Sequence, residues 1–198
     1  MVCSSDWTTE WLGRGAQVSP EQRIVYRQAE PQDQEQIGAI DDSFTTDTVY
    51  EVVVGDERFA LRPTVVDPPL VKTFPADEGD SVSDDLHVEV AVDDGKVCGF
   101  VVIGLEEWHH RLVVHQITVA PTHRGCGVGS TLMRRACAYG LRLGARTAWL
   151  ETSNVNVPAV RAYQRMGFVL CGLDTTFYRG TASEGETALF MSKALDAG

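Results

Sequence analysis

The sequence predicts an α/β fold: a mixed, mostly antiparallel sheet of six to seven strands with helices on both faces. Three observations predict it. Short β-branched runs alternate with amphipathic helical patterns, the arrangement of a sheet layered with helices. An Asp-Gly turn at Asp94-Gly95 joins two of those runs as an antiparallel hairpin. The 198 residues, 43% hydrophobic, are enough for one domain with a full core, placed at residues 21–198 behind a polar N-terminal tail of residues 1–20.

In chain order, the tail carries Trp7 and Trp11 without a clear period. Arg23 to Arg27 reads as a first strand. Pro31 to Ile40 reads as a helix with proline in its first turn and Ile37 and Ile40 on one face. The polar segment Asp41 to Thr48 reads as a turn and cap region, followed by strands at Val49 to Val54 and near Phe59 to Leu61 around a Gly55-Asp56 turn. Residues 75–85 form an acidic, helix-poor loop. His87 to Val92 and Lys96 to Ile103 are the two strands of the Asp-Gly hairpin.

From Leu112 to Val119 comes the strand that organises the rest, because it runs through Pro121 into Arg124-Gly125-Cys126-Gly127-Val128-Gly129 and then a helix. Leu132, Met133, Ala136, Cys137, Gly140 and Leu141 share one face of that helix. Arg134, Arg135, Ala138 and Arg142 share the other, and Gly144 stops it. Ala145 to Thr152 is the next strand, Ala159 to Met166 a helix ended by Gly167, and Phe168 to Leu173 with Thr187 to Ser192 a closing antiparallel pair.

Composition excludes several classes. Seventeen basic against 28 acidic residues give a formal charge of −11, which disfavours nucleic acid and suits a cationic small-molecule partner. Five scattered cysteines form neither a disulfide framework nor a zinc spacing, and no metal is expected. His109-His110 beside Glu106-Glu107 offers no ligand set, since neighbours on an extended chain point opposite ways. No apolar run approaches a membrane span and the N-terminus lacks signal-peptide character, so a cytoplasmic location with no membrane partner is expected. The sequence does not choose between a monomer and a homodimer.

Strand, glycine loop and helix N-terminus together make an anion site: glycines let backbone N–H groups approach a phosphate, and the helix adds a partial positive charge. The spacing excludes a mononucleotide P-loop, which needs Gly-Lys, and a dinucleotide G-x-G-x-x-G fingerprint. What fits is R-x-x-G-x-G (Arg124, Gly127, Gly129) after I-x-V-x-P (Ile117, Val119, Pro121), which resembles the acetyl-CoA pyrophosphate loop of the GNAT N-acetyltransferase superfamily. One strand later, N-x-x-A-x-x-x-Y-x-x-x-G-F from Asn156 resembles the second signature helix of that fold. The segments Ser43 to Val52, Asp67 to Pro75, Trp149 to Ala159 and Met166 to Glu186 narrow the resemblance to streptothricin (nourseothricin) acetyltransferases, over about residues 22–193. One departure is that His115-Gln116 stands where these enzymes usually carry paired acidic residues.

The resemblance implies a GNAT fold and acetyl-CoA as co-substrate, with transfer of the acetyl group to an amine of the antibiotic's β-lysine arm and hence antibiotic resistance. It implies that the backbone of Ile117 and Val119 holds the pantetheine arm. It further implies that Gly125, Cys126, Gly127, Val128, Gly129 and Ser130 bind the pyrophosphate, with Arg124 adding charge and Asn156 capping its helix or touching the cofactor arm. Tyr163 is the implied acid for the sulfur. For the base, strand alternation puts His115 on the face of Val113, Ile117 and Val119, where a packed core histidine is the rival reading; Glu151 and an ordered water chain are the alternatives. Asp47, Glu51, Trp108, Glu151, Asp174 and Tyr178 are the acidic and aromatic candidates for a cationic substrate. Two other functions fit the same motifs: a GNAT enzyme acting on another small amine or peptide, and a non-catalytic acyl-CoA-binding module.

Overall fold

Antiparallel hairpins and two helical crossovers set the architecture. The computed structural model describes residues 24–55, 58–74 and 86–195. The tail, Cys3 and the acidic stretch 75–85 therefore lie outside the described residues. The order is β1 (Val25–Gln28), α1 (Gln34–Gly38), β2 (Phe44–Gly55), β3 (Arg58–Lys72), β4 (His87–Asp93), β5 (Lys96–Glu106), β6 (Arg111–Val119), α2 (Val128–Arg142), β7 (Thr147–Ser153), α3 (Val157–Arg165), β8 (Val169–Asp174) and β9 (Ala188–Ala194). Seven strands form one sheet in the order β1-β4-β5-β6-β7-β9-β8, and β2 and β3 form a separate two-stranded ribbon.

Within the sheet β6 and β7 are parallel, and the other neighbouring pairs are antiparallel. A parallel pair cannot be closed by a tight turn, which is why the chain travels through α2 between them. The β4–β5 turn holds Asp94 at φ 46 and Gly95 at φ 76, the left-handed pair that a two-residue hairpin needs.

Helices cover both faces. Val128, Leu132, Met133, Ala136 and Gly140 form the buried stripe of α2, packed on Ala91, Val101, Ile103, Leu112 and Val114. Cys137 packs against the same cluster. On the opposite face Val90, Phe100 and Val102 meet Ile37 and Ile40 around α1. The polar face of α2 is not purely a solvent face: Arg135 folds back to pair with buried Glu89, and His87 stacks on Tyr139 at 3.8 Å between ring centroids.

Three elements differ from the sequence reading. The first helix is a 3-10 turn at Pro31–Asp33 running into α1, which ends at Gly38. β2 begins at Phe44, inside the segment expected to be a turn. A bulge between Thr46 and Thr48 is bridged by the Thr46 hydroxyl, which donates to the Thr48 carbonyl at 2.6 Å and accepts from the Thr48 N–H at 3.2 Å. β3 is 15 residues long despite Pro63, Pro68 and Pro69, because a two-stranded ribbon leaves each strand an outer edge where a missing N–H does no harm.

Asn154 fastens this ribbon to the sheet. Its main-chain carbonyl accepts from the Tyr50 N–H at 2.9 Å and its side-chain amide donates to the Tyr50 carbonyl at 2.7 Å. Its Oδ1 accepts from the Thr187 N–H at 2.8 Å. The ribbon is thereby held over the C-terminal end of β7.

Candidate active site

The site begins where two strands part. β6 pairs with β7 only through Arg111–Val114 against Thr147–Leu150, although β6 runs on to Val119 and β7 to Ser153. The cause lies on the other side of β6, where Ile103 faces Val114 and Val102 faces Gln116, leaving His115 as the extra residue of a β-bulge. A bulge bends and twists its strand, and here it turns Ile117 to Val119 away from β7. This corrects the alternation assigned to His115. The histidine is exposed and leans over Gly104, where a methyl group would come within 2.9 Å of its Nε2.

Past the parting the chain makes a 3-10 turn at Pro121–His123 and then the glycine loop, with Gly125 at φ 78 and Gly127 at φ 86. Only glycine adopts such angles without strain. Gly127 is the N-cap of α2 and makes no side-chain cap, so the first N–H groups of the helix are left for an anion.

These elements open onto a cavity of about 480 Å³. Of the expected cofactor residues, Ile117, Val119, Arg124, Gly125, Gly127, Gly129, Ser130, Asn156 and Tyr163 line it. Cys126 and Val128 do not: the first points to solvent and the second, 1% exposed, is packed in the core, so only their main chain is on offer. Asp42, Phe44, His123 and Arg165 also line the cavity, and no motif in the sequence singled them out. Asn156 does cap α3, its side chain accepting from the Ala159 N–H at 3.2 Å.

Arg124 is occupied differently from the expectation. Its guanidinium donates to the carbonyls of Val119 at 2.8 Å, Ser43 at 2.6 Å and Asp41 at 2.8 Å. It fastens the loop to the approach of β2.

Beside the parting lies a pair of acids, Glu151 on β7 and Glu186 on the loop between β8 and β9. Tyr178 donates through its hydroxyl to Glu151, Ser153 donates to Glu186 at 2.5 Å, and Lys72 pairs with Glu186 while donating to Ser183 at 2.9 Å. Burial raises the Glu151 carboxyl above its ordinary range, the Tyr178 hydrogen bond works against that, and the Glu186 charge adds to it. Burial, with the charge of Glu151 added, pushes the Tyr163 phenol up to about 12. Burial and the Glu151 hydrogen bond push Tyr178 up as well. Lys72 thus pairs with Glu186, the charge of Glu186 reaches Glu151, and Tyr163 feels the field of Glu151. Trp149 stacks on Phe190 at 5.2 Å and Phe177 meets Phe190 edge-on at 5.8 Å, forming an aromatic flank.

The remaining substrate candidates are scattered. Asp47 lines a second recess with Thr45, Pro69 and Arg161. Glu51 is exposed on the ribbon and paired to Arg62 at 2.6 Å. Asp174 closes a turn at the end of β8, accepting from the Thr176 N–H at 2.7 Å. Trp108, 82% exposed and stacked on His109, sits at the β5–β6 turn. That is the wrong end of β6, roughly 25 Å of strand from the glycine loop. No group of His, Cys, Asp or Glu able to hold a metal occurs among the described residues, and none of their helices is long and apolar enough to cross a membrane.

Residues 57–168 match the Acetyltransferase (GNAT) family. The chain belongs to that family. It is 50% identical over 175 residues to a streptothricin acetyltransferase of Streptomyces lavendulae, covering 84% of this chain and 93% of the relative. The crystal structure of a nourseothricin acetyltransferase superposes with a TM-score of 0.81 at 50% identity, covering 87% of this chain and 99% of that one. A Bacillus anthracis protein described as a candidate streptothricin acetyltransferase, solved with acetyl coenzyme A, superposes with a TM-score of 0.75 at 25% identity over 88% and 99% of the two chains. The fold is the GNAT fold and the activity is acetyl transfer from acetyl-CoA to nitrogen. The structure fits that co-substrate: parted strands lead to an open helix N-terminus across one cavity.

Proposed function

We propose that the protein acetylates an amine on the β-lysine arm of a streptothricin-type antibiotic and so confers resistance. The observation that carries this reading is the pair of acids beside the strand parting, where the charge of Glu186 acts on the half-buried Glu151 and Lys72 pairs with Glu186, a setting suited to an ammonium-bearing acceptor. The 50% identity to the Streptomyces lavendulae enzyme gives the acceptor its class.

Acetyl-CoA supplies an activated thioester; the chain supplies placement and proton handling. The Ala120 N–H is bonded to the Cys98 carbonyl at 2.9 Å, toward β5. By strand alternation the N–H groups of Val119 and Ile117 then point to the β7 side, where the partner strand has left. They are the donors for the thioester oxygen, fixed in place before charge develops there. The uncapped first turn of α2 and Gly125, Gly127 and Gly129 receive the pyrophosphate.

An amine reaches the pocket as ammonium and must lose a proton before it attacks. Glu151 is the base: its raised carboxyl takes a proton more readily than an ordinary one, and Tyr178 fixes its orientation. His115, exposed on its bulge, is left out of this role. Tyr163, at about 12, keeps its proton throughout the working pH range. Full transfer to a thiolate of ordinary basicity is uphill from there, so Tyr163 serves the departing sulfur as a hydrogen-bond donor.

The test is thiol release by the purified protein with acetyl-CoA and streptothricin, beside polyamines, aminoglycosides and peptides. Rapid release with streptothricin is expected. Release with another amine alone would discard the antibiotic and keep the chemistry, and CoA binding without release anywhere would point to a binding module.

A further inference from the structure

Arg124 stands in the position of the glycine-loop motif from which charge toward the pyrophosphate was expected, yet its donors reach three main-chain carbonyls at 2.6–2.8 Å. One of these, Val119, ends the strand that borders the cofactor cavity. The other two, Asp41 and Ser43, lie more than 80 residues earlier, where the chain enters β2. Asp42 and Phe44, interleaved with those carbonyls, line the same cavity as the glycine loop. Farther along β2, Tyr50 is bonded to Asn154 just past the end of β7, three residues after Glu151. A single guanidinium thus ties the cofactor loop to the strand that runs over the acceptor side.

We propose that Arg124 is a positioning residue that couples the two halves of the site: filling the glycine loop steadies Arg124, and Arg124 steadies the start of β2 against which the acceptor docks. The acceptor half of this statement rests on the function proposed above; the mechanical half does not. The planar fork is essential, because it reaches three carbonyls in fixed directions, whereas a lysine ammonium at the same position is a point charge on a flexible stem. Coupling free energies between sites of this kind correspond to affinity changes of roughly tenfold.

Two measurements test it on the full chain. In the first, amide hydrogen exchange over residues 43–46 is followed with and without CoA, no acceptor being present. CoA slows exchange there in the unsubstituted protein, and Arg124→Lys, which keeps the charge, abolishes the slowing. Equal protection in both overturns the proposal. In the second, streptothricin binding is titrated calorimetrically with and without saturating CoA. CoA tightens it about tenfold in the unsubstituted protein and less than twofold in Arg124→Lys and Arg124→Gln, while CoA affinity itself changes less than threefold. A tenfold loss of CoA affinity with the coupling intact overturns the proposal and makes Arg124 a pyrophosphate ligand. Failure of streptothricin to bind the unsubstituted protein sinks the antibiotic reading alone, since the exchange measurement stands without it.

Discussion

Glu151, the base of the proposed reaction, also carries a cost in stability. Its carboxyl is raised by burial, so the folded chain holds that proton more tightly than the unfolded chain does. Stability therefore falls as pH rises from the ordinary carboxylate value through the raised one, and stays lower above it. Glu151→Gln removes this dependence while keeping an oxygen for the Tyr178 hydroxyl. The variant is expected to melt higher than the unsubstituted protein at neutral pH, with the difference vanishing in acid, and to lose about a hundredfold in kcat with CoA affinity unchanged. In the unsubstituted enzyme kcat climbs with pH through the raised Glu151 value; the same acid limb surviving in Glu151→Gln would remove Glu151 as the base. Tyr163→Phe is a cleaner deletion. The ring keeps its packing beside Phe168, 6.1 Å between centroids, and only the hydroxyl goes. Turnover should fall ten- to a hundredfold with CoA affinity within threefold, and an unchanged kcat at pH 7 would assign the tyrosine to packing.

At the scale of elements, what the sequence showed and what it hid divide by distance along the chain. The stripe of α2 was legible because periodicity is a local property, and the glycine loop because one short stretch contains the whole turn. The bulge at His115 was hidden: one extra residue in a β-branched run leaves no mark in composition, yet it reverses the side on which every later residue falls. The ribbon's two strands were read around their turn, but the start of β2 at Phe44 was hidden for another reason, since threonines that favour turns also satisfy a bulge when a hydroxyl reaches a nearby carbonyl. The residues that join the site, Arg124 to Ser43, Lys72 to Glu186 and Asn154 to Tyr50, span 81 to 114 positions and no spacing rule connects them. Gly140 tests how tightly the elements fit. Helix propensity alone says that Gly140→Ala stabilises α2 by about 1 kcal/mol. The new methyl would, however, lie 2.9 Å from both Leu112 methyl carbons beneath the helix. Overpacking of this kind costs about 1–3 kcal/mol, so a lower denaturant midpoint is expected, partly recovered by Leu112→Val. A raised midpoint would mean that Leu112 moves aside freely.

For the whole molecule the deciding quantity is the sign of charge seen by each substrate. The chain carries a formal charge of −11. For a cationic acceptor the field of the whole protein and the local field of Glu151 and Glu186 point the same way, so attraction operates at long range and on arrival. For acetyl-CoA the two oppose each other, because the anionic molecule repels the phosphates while the positive end of α2 and the charge of Arg165, both at the cavity, attract them. Salt screens the long-range part first, its reach falling from roughly 30 Å at 0.01 M to about 10 Å at 0.1 M. Raising ionic strength over that range should lower kcat/KM for the acceptor severalfold and leave kcat/KM for acetyl-CoA nearly level, with kcat constant. Steady-state kinetics with each substrate varied in turn reads both. A flat acceptor profile would mean that recognition is confined to short-range contacts in the pocket and that the acidic surface plays no part in catching the amine. A steep fall for acetyl-CoA would mean that local cationic attraction outweighs the acidic field of the whole protein.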